Sequence, residues 1–86
     1  AEKVGFKVAA AEAPYIITKP IHRSQQVMER LADGSVILEI EVVINHELER
    51  VFFGYAEGIQ VLYPKTLVEL MGRKLKKAAE QYTHSK

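Results

Sequence analysis

Residues 25–44 read QQVMERLADGSVILEIEVVI and carry the strongest structural pattern in the chain. Apolar and polar residues alternate on both sides of Asp33 and Gly34, and a period of two is typical of half-buried strands. Asp-Gly between two such runs predicts a hairpin, because glycine supplies the positive φ of the turn. In the second arm one apolar face is formed by Val36, Leu38, Ile40, Val42 and Ile44.

The segment before the hairpin predicts one strand and one short helix. Val4, Phe6 and Val8 alternate with polar residues and glycine, which indicates a half-buried strand. The alanine-rich segment 9–18 predicts a short helix, although Pro14 in its middle disfavours one.

The segment after the hairpin predicts a helix, a strand and a closing helix. Asn45 is a good N-cap, and apolar residues then recur at helical spacing over 48–55. Residues 59–63 alternate again, and Pro64 suits the first turn of an amphipathic helix that ends near Tyr82. The order predicts an α+β fold with a ferredoxin-like βαββαβ antiparallel sheet and an added C-terminal helix.

Charges on the two central strands of that topology agree with it. The first strand would present Lys3 and Lys7 outward, next to Glu39 and Glu41 of the third. Opposite charges on neighbouring strands are favourable by roughly 0.2–1 kcal/mol per pair.

Length and composition limit the chain to one small domain, residues 1–86. It has 86 residues, 48% hydrophobic and 27% charged, which is ordinary for a globular domain. The absence of cysteine excludes disulfides and thiolate metal sites. No apolar run is long enough to span a membrane and no signal peptide opens the sequence, so we expect a cytoplasmic protein. Because the chain begins at Ala1 and enters a strand pattern at once, we expect a piece of a longer protein.

A net charge of +1 conceals two unlike parts of the chain. Residues 64–86 carry six basic and two acidic side chains, whereas residues 1–63 carry six basic and nine acidic ones. The spacing of Glu69 with Arg73 and of Lys76 with Glu80 predicts ion pairs on a solvated helix face. The alternative is a basic patch that attracts an anionic partner.

The sequence carries no enzyme signature, so we expect no catalytic residues, no metal and no cofactor. His46 and Glu49 are the only closely spaced pair of possible metal ligands, and such a pair is common on solvated helices. No serine stands in a nucleophile elbow and no glycine-rich phosphate loop is present. A small enzyme of acylphosphatase type would need a loop arginine and an asparagine, for which Arg23 and Asn45 are the nearest candidates.

The outward face of the predicted sheet favours a protein contact over RNA. RNA-recognition domains stack bases on aromatic residues of this face, whereas here we expect no aromatic residue and two glutamates. Apolar side chains on an open face need a cover, either from the last helix or from a second copy. The candidate dimer interface consists of Met28, Ile37, Val43 and Leu62.

Several motifs resemble a known family in order along the chain. They are Ile21-His22-Arg23-Ser24-Gln25, the Asp33-Gly34-Ser35 turn, Leu48 through Tyr55, and Val61-Leu62-Tyr63-Pro64 followed by Leu67. Together they resemble the C-terminal extension (WCX) of bacterial WYL-domain transcriptional regulators, over about residues 4–82. Ile21 and Val51 stand where the family often has tryptophan, and Ala56 where it usually has glycine.

The resemblance implies a parent protein with an N-terminal DNA-binding helix-turn-helix and a central WYL domain. It also implies a homodimer that senses a nucleotide or oligonucleotide effector. His22, Ser24 and Gln25 match the family motif, with Arg23 among them, and these four residues are the candidate effector site. The alternative is a loop that hydrogen-bonds to its own backbone and fixes the entry into the second strand. The competing function is a free-standing ferredoxin-like domain that binds a small molecule, in the manner of amino-acid-sensing modules.

Overall fold

The computed structural model of the chain describes residues 1–83. Its elements are β1 (Glu2–Val8), α1 (Ala13–Thr18), β2 (Gln26–Arg30), β3 (Val36–Val42), α2 (His46–Tyr55), a 3-10 turn (Ala56–Gly58), β4 (Ile59–Tyr63) and α3 (Lys65–Thr83). Lys86, one of the basic residues counted above, lies outside the described residues. No helix in the described part of the chain is long and apolar enough to cross a membrane.

The four strands form one open antiparallel sheet in the order β2-β3-β1-β4. An α+β fold is therefore confirmed, with β1 and β3 side by side at the centre. The register places Lys3 opposite Glu41, as the charge pattern predicted, but Lys7 lies opposite Ile37.

One face of the sheet is covered by the helices and holds the core. β1 and β3 supply Val4, Phe6, Val8, Val36, Leu38 and Ile40, and α1, α2 and α3 cover them with Ile16, Phe52, Leu67 and Met71. Phe6 and Phe52 lie with ring centroids 5.1 Å apart and tilted by 54°, a geometry that aromatic pairs favour. We call the opposite face of the sheet the outer face.

The predicted hairpin turn and helix cap are confirmed. Gly34 has a φ of 93°, and the Asp33 carboxylate accepts hydrogen bonds from the Ser35 hydroxyl and backbone N–H. Those two bonds hold the pKa of Asp33 below its ordinary value, because they stabilise the charged form. The Asn45 side chain accepts from the Leu48 N–H at 2.9 Å and so caps α2.

α1 is a short helix, as predicted, and begins next to its proline. It spans Ala13–Thr18, with Pro14 in the first turn, where a missing N–H removes no helical hydrogen bond. Pro14 therefore starts this helix instead of interrupting it.

Two strands depart from the simple alternation predicted for them. In β4, Val61 lies opposite Phe6 but Tyr63 lies opposite Gly5, so the register shifts at Leu62. The extra residue turns Tyr63 to the outer face, whereas Val61 stays in the core. β2 has a similar shift at Met28.

α3 is buried only at its beginning. Leu67 and Met71 are buried, whereas every residue of 72–83 is exposed. Within the described residues the predicted pairs Glu69–Arg73 and Lys76–Glu80 do not form. Lys74 instead reaches the buried Glu49 of α2, with 3.0 Å between Nζ and Oε1.

Candidate functional site

Gln25 ties the end of α1 to the start of β2. Its Nε2 donates to the Ile16 carbonyl at 3.0 Å, and its Oε1 accepts from the Ile21 N–H at 3.0 Å. The carbonyls of a last helical turn lack helical partners, so this amide satisfies one of them. Gln25 thus fixes the path of the segment 19–25, which carries the predicted effector residues.

Ser24 precedes β2 and extends the pairing of this edge with β3. Its hydroxyl accepts from the Glu41 N–H at 2.8 Å and lies 3.3 Å from the Glu41 carbonyl, so it takes the place of a neighbouring strand. His22 Nδ1 accepts from the Ser24 N–H at 3.1 Å and lies 2.8 Å from the Ser24 hydroxyl. In the neutral ring Nε2 is then the protonated nitrogen.

Three of the four predicted effector residues therefore hold the loop itself. Arg23 is the exception, because it is exposed and forms no hydrogen bond or ion pair with residues 1–83. The four residues are consecutive in one loop. Among them, only Arg23 keeps all of its side-chain N–H groups available to a ligand.

Arg23 borders a polar depression on the outer face, of about 470 Å³. The lining combines two cations with two carboxylates and amide side chains: Lys3, Arg23, Ser24, Gln25, Gln26, Met28, Glu39, Ile40 and Glu41. Such a surface can bind an anionic group at its cations and an ammonium group at its carboxylates.

The outer face carries an aromatic residue, contrary to the prediction. Tyr63 crosses over Gly5 and donates a hydrogen bond to the Glu39 carboxylate. This bond, together with the negative charge of Glu39, raises the pKa of the Tyr63 hydroxyl. Because the ring already lies against Gly5 and Glu39, it is not an open stacking platform of the kind that RNA-recognition domains use.

The four residues of the predicted dimer interface do not form one continuous patch. Met28 and Ile37 lie on the neighbouring strands β2 and β3, but Leu62 is on β4, beyond β1 and its Lys7. Val43 is 68% exposed and follows the end of β3, away from the other three.

Val43 belongs to a separate apolar groove, which sequence reasoning missed. The groove measures about 320 Å³ and lies between the end of β3 and the first turns of α2. It is lined by Ile21, His22, Val42, Val43, Asn45, Glu47, Leu48 and Val51. The apolar run Val42-Val43-Ile44 could have indicated this groove. Three successive apolar residues cannot all face the core of one sheet, so at least one of them must lie on another apolar surface.

The described residues contain no cluster of three or more side chains that could hold a metal ion. His46 Nδ1 lies 3.7 Å from Glu49 Oε1, but the same oxygen is bound by Lys74. Glu49 therefore joins α2 to α3, whereas the His46 side chain is exposed.

The model of the WCX domain family matches residues 1–79, which is most of the chain. None of the curated proteins compared with the chain matches it.

Proposed function

The chain belongs to the WCX domain family, and on that premise we propose that it is the effector-sensing and dimerisation domain of a bacterial regulator. WCX domains are associated with WYL-type transcriptional regulators and are not a known enzyme family. The proposed parent is a cytoplasmic homodimer that binds DNA through an N-terminal helix-turn-helix. The WYL domain of the same parent chain would be the direct neighbour of this one.

The proposed effector binding is supported chiefly by one observation: Arg23 is exposed beside the polar depression. Arg23 and Lys3 offer two cations to a phosphate group, and a guanidinium binds phosphate in a bidentate fashion. The internal bonds of Ser24 and Gln25 hold the Arg23 backbone in place before a ligand arrives, and preorganisation favours affinity. The proposed effector is a nucleotide or a short oligonucleotide.

The test is a thermal-unfolding titration with nucleotides and short oligonucleotides, because a ligand that binds only the folded state raises Tm. We expect Arg23→Ala to abolish the rise in Tm while leaving the ligand-free Tm unchanged. Arg50→Ala, which removes an exposed arginine from α2, is the matched control and should keep the full rise. Equal shifts in both variants would refute a role for Arg23.

A small zwitterion is the second candidate ligand, favoured by the carboxylates of the same depression. Glu39 and Glu41 lie across from the cations, and they would repel a polyanion but attract an ammonium group. This matches the alternative function, a free-standing small-molecule-binding domain. A rise in Tm with amino acids but not with nucleotides would favour it.

We infer further that the fold is ferredoxin-like and that the outer face contributes to dimerisation. The order β2-β3-β1-β4 with antiparallel ladders and crossovers through α1 and α2 supports the first inference. Met28 is 51% exposed and Leu62 36%, which supports the second. Sedimentation of Met28→Glu and Leu62→Glu tests it, with weaker self-association expected in both.

A further inference from the structure

The C-terminal half of α3 extends beyond the body of the domain. All of residues 72–83 are exposed, and twelve helical residues span about 18 Å. The radius of gyration is 13.5 Å, whereas a compact chain of this length has about 12 Å. We call residues 72–83 the overhang.

The overhang continues the apolar face that α3 buries at its beginning. At 100° per residue, Leu75, Ala78 and Ala79 fall within about 80° of Met71, which is buried. Ala78 lies almost directly in line with Met71 yet is exposed, and Leu75 is 42% exposed. The described residues of the same chain thus leave this face uncovered.

The overhang is strongly basic. It carries Arg73, Lys74, Lys76 and Lys77 against one acidic residue, Glu80. Lys74 is bound by Glu49, whereas Lys76 lies about 60° beyond Ala79 around the helix and forms no ion pair with the described residues. Two overhangs packed against each other would bring like charges together, so an acidic and apolar surface is the better match.

The groove between β3 and α2 has that character. Val43 and Val51 leave 68% and 37% of their surface exposed, and Glu47 stands at the rim. Glu2 lies opposite Val42 in the ladder of β1 and β3, and directly opposed residues share a face of the sheet. Glu47 thus places one carboxylate at the rim of the groove, and Glu2 places a second one beside Val42, which lines the groove.

We propose that the overhang of one copy binds in the groove of a second copy, and that the exchange is reciprocal. Leu75 and Ala78 would enter the groove against Val43 and Val51, with Lys76 beside Glu47. A two-fold axis repeats the contact, so each dimer contains two identical helix–groove contacts. The inference rests on the dimerisation part of the proposed function and adds a second contact to the one proposed for the outer face.

The first test measures self-association of the chain by sedimentation. Val43→Glu in the groove and Leu75→Glu in the overhang place a charge at exposed positions, so both variants should fold and dimerise about tenfold or more weakly. Tyr15→Glu, at a 71% exposed position on α1, is the matched control and should dimerise normally. Glu47→Lys should weaken the dimer, and adding Lys76→Glu to the same chain should restore it.

The second test mixes the two weakened variants. A chain with Val43→Glu retains its overhang and a chain with Leu75→Glu retains its groove, so a mixed dimer regains one intact contact. We expect mixed dimers, seen with a tag on one variant, to form more readily than either homodimer. Absence of this rescue overturns the inference, because only an exchanged contact makes the two substitutions complementary.

Failure of the inference is distinguishable from failure of the proposed function. If both variants dimerise normally and Met28→Glu abolishes the dimer, the exchange is wrong but dimerisation through the outer face stands. If the unmodified chain is strictly monomeric, both dimer contacts are wrong, and the nucleotide titration alone decides the effector role.

Discussion

Gly5 leaves the room that the Tyr63 ring occupies on the outer face of the sheet. A Cβ built on Gly5 would overlap the Tyr63 ring, so the ring lies where any larger residue would stand. We expect Gly5→Ala to lower the free energy of unfolding by about 1–3 kcal/mol, the usual cost of overpacking. Urea denaturation measures this loss.

The ring itself provides the control for that prediction. In a Tyr63→Ala background the overlap is absent, so Gly5→Ala should cost much less there than in the unmodified chain. Gly54→Ala on α2 meets nothing within 4 Å and should stabilise the chain by up to about 1 kcal/mol. Equal costs of Gly5→Ala in both backgrounds would contradict the contact.

The Tyr63 hydroxyl gives a prediction for alkaline pH. The hydrogen bond to Glu39 stabilises the neutral phenol, so the pKa of Tyr63 is raised in the folded chain. An unfolded tyrosine loses its proton near pH 10, so the folded state binds more protons just above that pH. The stabilising effect is therefore complete below about pH 10 and is lost as the pH rises through the folded pKa.

Phenolate absorbance measures this titration. We expect Tyr63→Phe to remove a late-titrating step, and Glu39→Gln to move that step toward the ordinary tyrosine value near 10. If Glu39→Gln leaves the step where it was, Glu39 is not its cause.

Single residues were predictable where their role depends on their immediate neighbours. The turn at Asp33 and Gly34 and the cap at Asn45 need only a few residues of context. The position of Tyr63 depends on how β4 pairs with β1, more than fifty residues earlier in the chain, so alternation within β4 could not reveal it.

The loop between α1 and β2 is held in place by the Gln25 side chain. Gln25→Ala removes both hydrogen bonds that join Ile16 and Ile21, each contributing about 0.5–1.5 kcal/mol, so we expect a loss of roughly 1–3 kcal/mol in unfolding free energy. Chemical denaturation measures the loss. The neighbouring Arg23→Ala removes no bond within the described residues and should stay within about 0.5 kcal/mol.

Comparable losses in the two variants would mean that the loop is not held as described. The contrast also separates the two interpretations of this motif, since a residue used only for an effector should leave stability unchanged. The hydrogen bonds of His22, Ser24 and Gln25 favour the loop interpretation for these three residues, whereas Arg23 makes no such bond within residues 1–83.

The sequence predicted whether each segment forms a helix or a strand. It predicted less well where each element begins and which side chains it contacts. β3 and α2 follow their hydrophobic periods closely, whereas α1 begins four residues later than the alanine-rich segment does. The ion pairs expected along α3 do not form among residues 1–83, and the ion pair that α3 does make there joins Lys74 to the buried Glu49 of α2. Spacing along one helix cannot show which neighbour a side chain will meet.

In the whole molecule, the basic and the acidic parts of the chain lie in different places. The basic C-terminal segment is largely the overhang, and an acidic rim belongs to a groove on the body. The sequence predicted the amphipathic helix, but not that the sheet ends beneath its first two turns. The length of α3 that the sheet covers depends on the length of β4 and on where α3 crosses it.

Removing residues 77–86 should separate stability from assembly. The deletion takes away only exposed residues among those described and retains Leu67, Met71 and the Lys74 contact with Glu49. We therefore expect the free energy of unfolding, extrapolated to low protein concentration, to change by less than about 1 kcal/mol. Self-association should weaken by about tenfold or more, because the helix loses Ala78 and Ala79 and frays at Leu75.

Sedimentation and denaturation of the same samples measure both quantities. A shortened chain that unfolds easily would show that the overhang supports the fold, whereas one that dimerises normally would show that the dimer forms elsewhere.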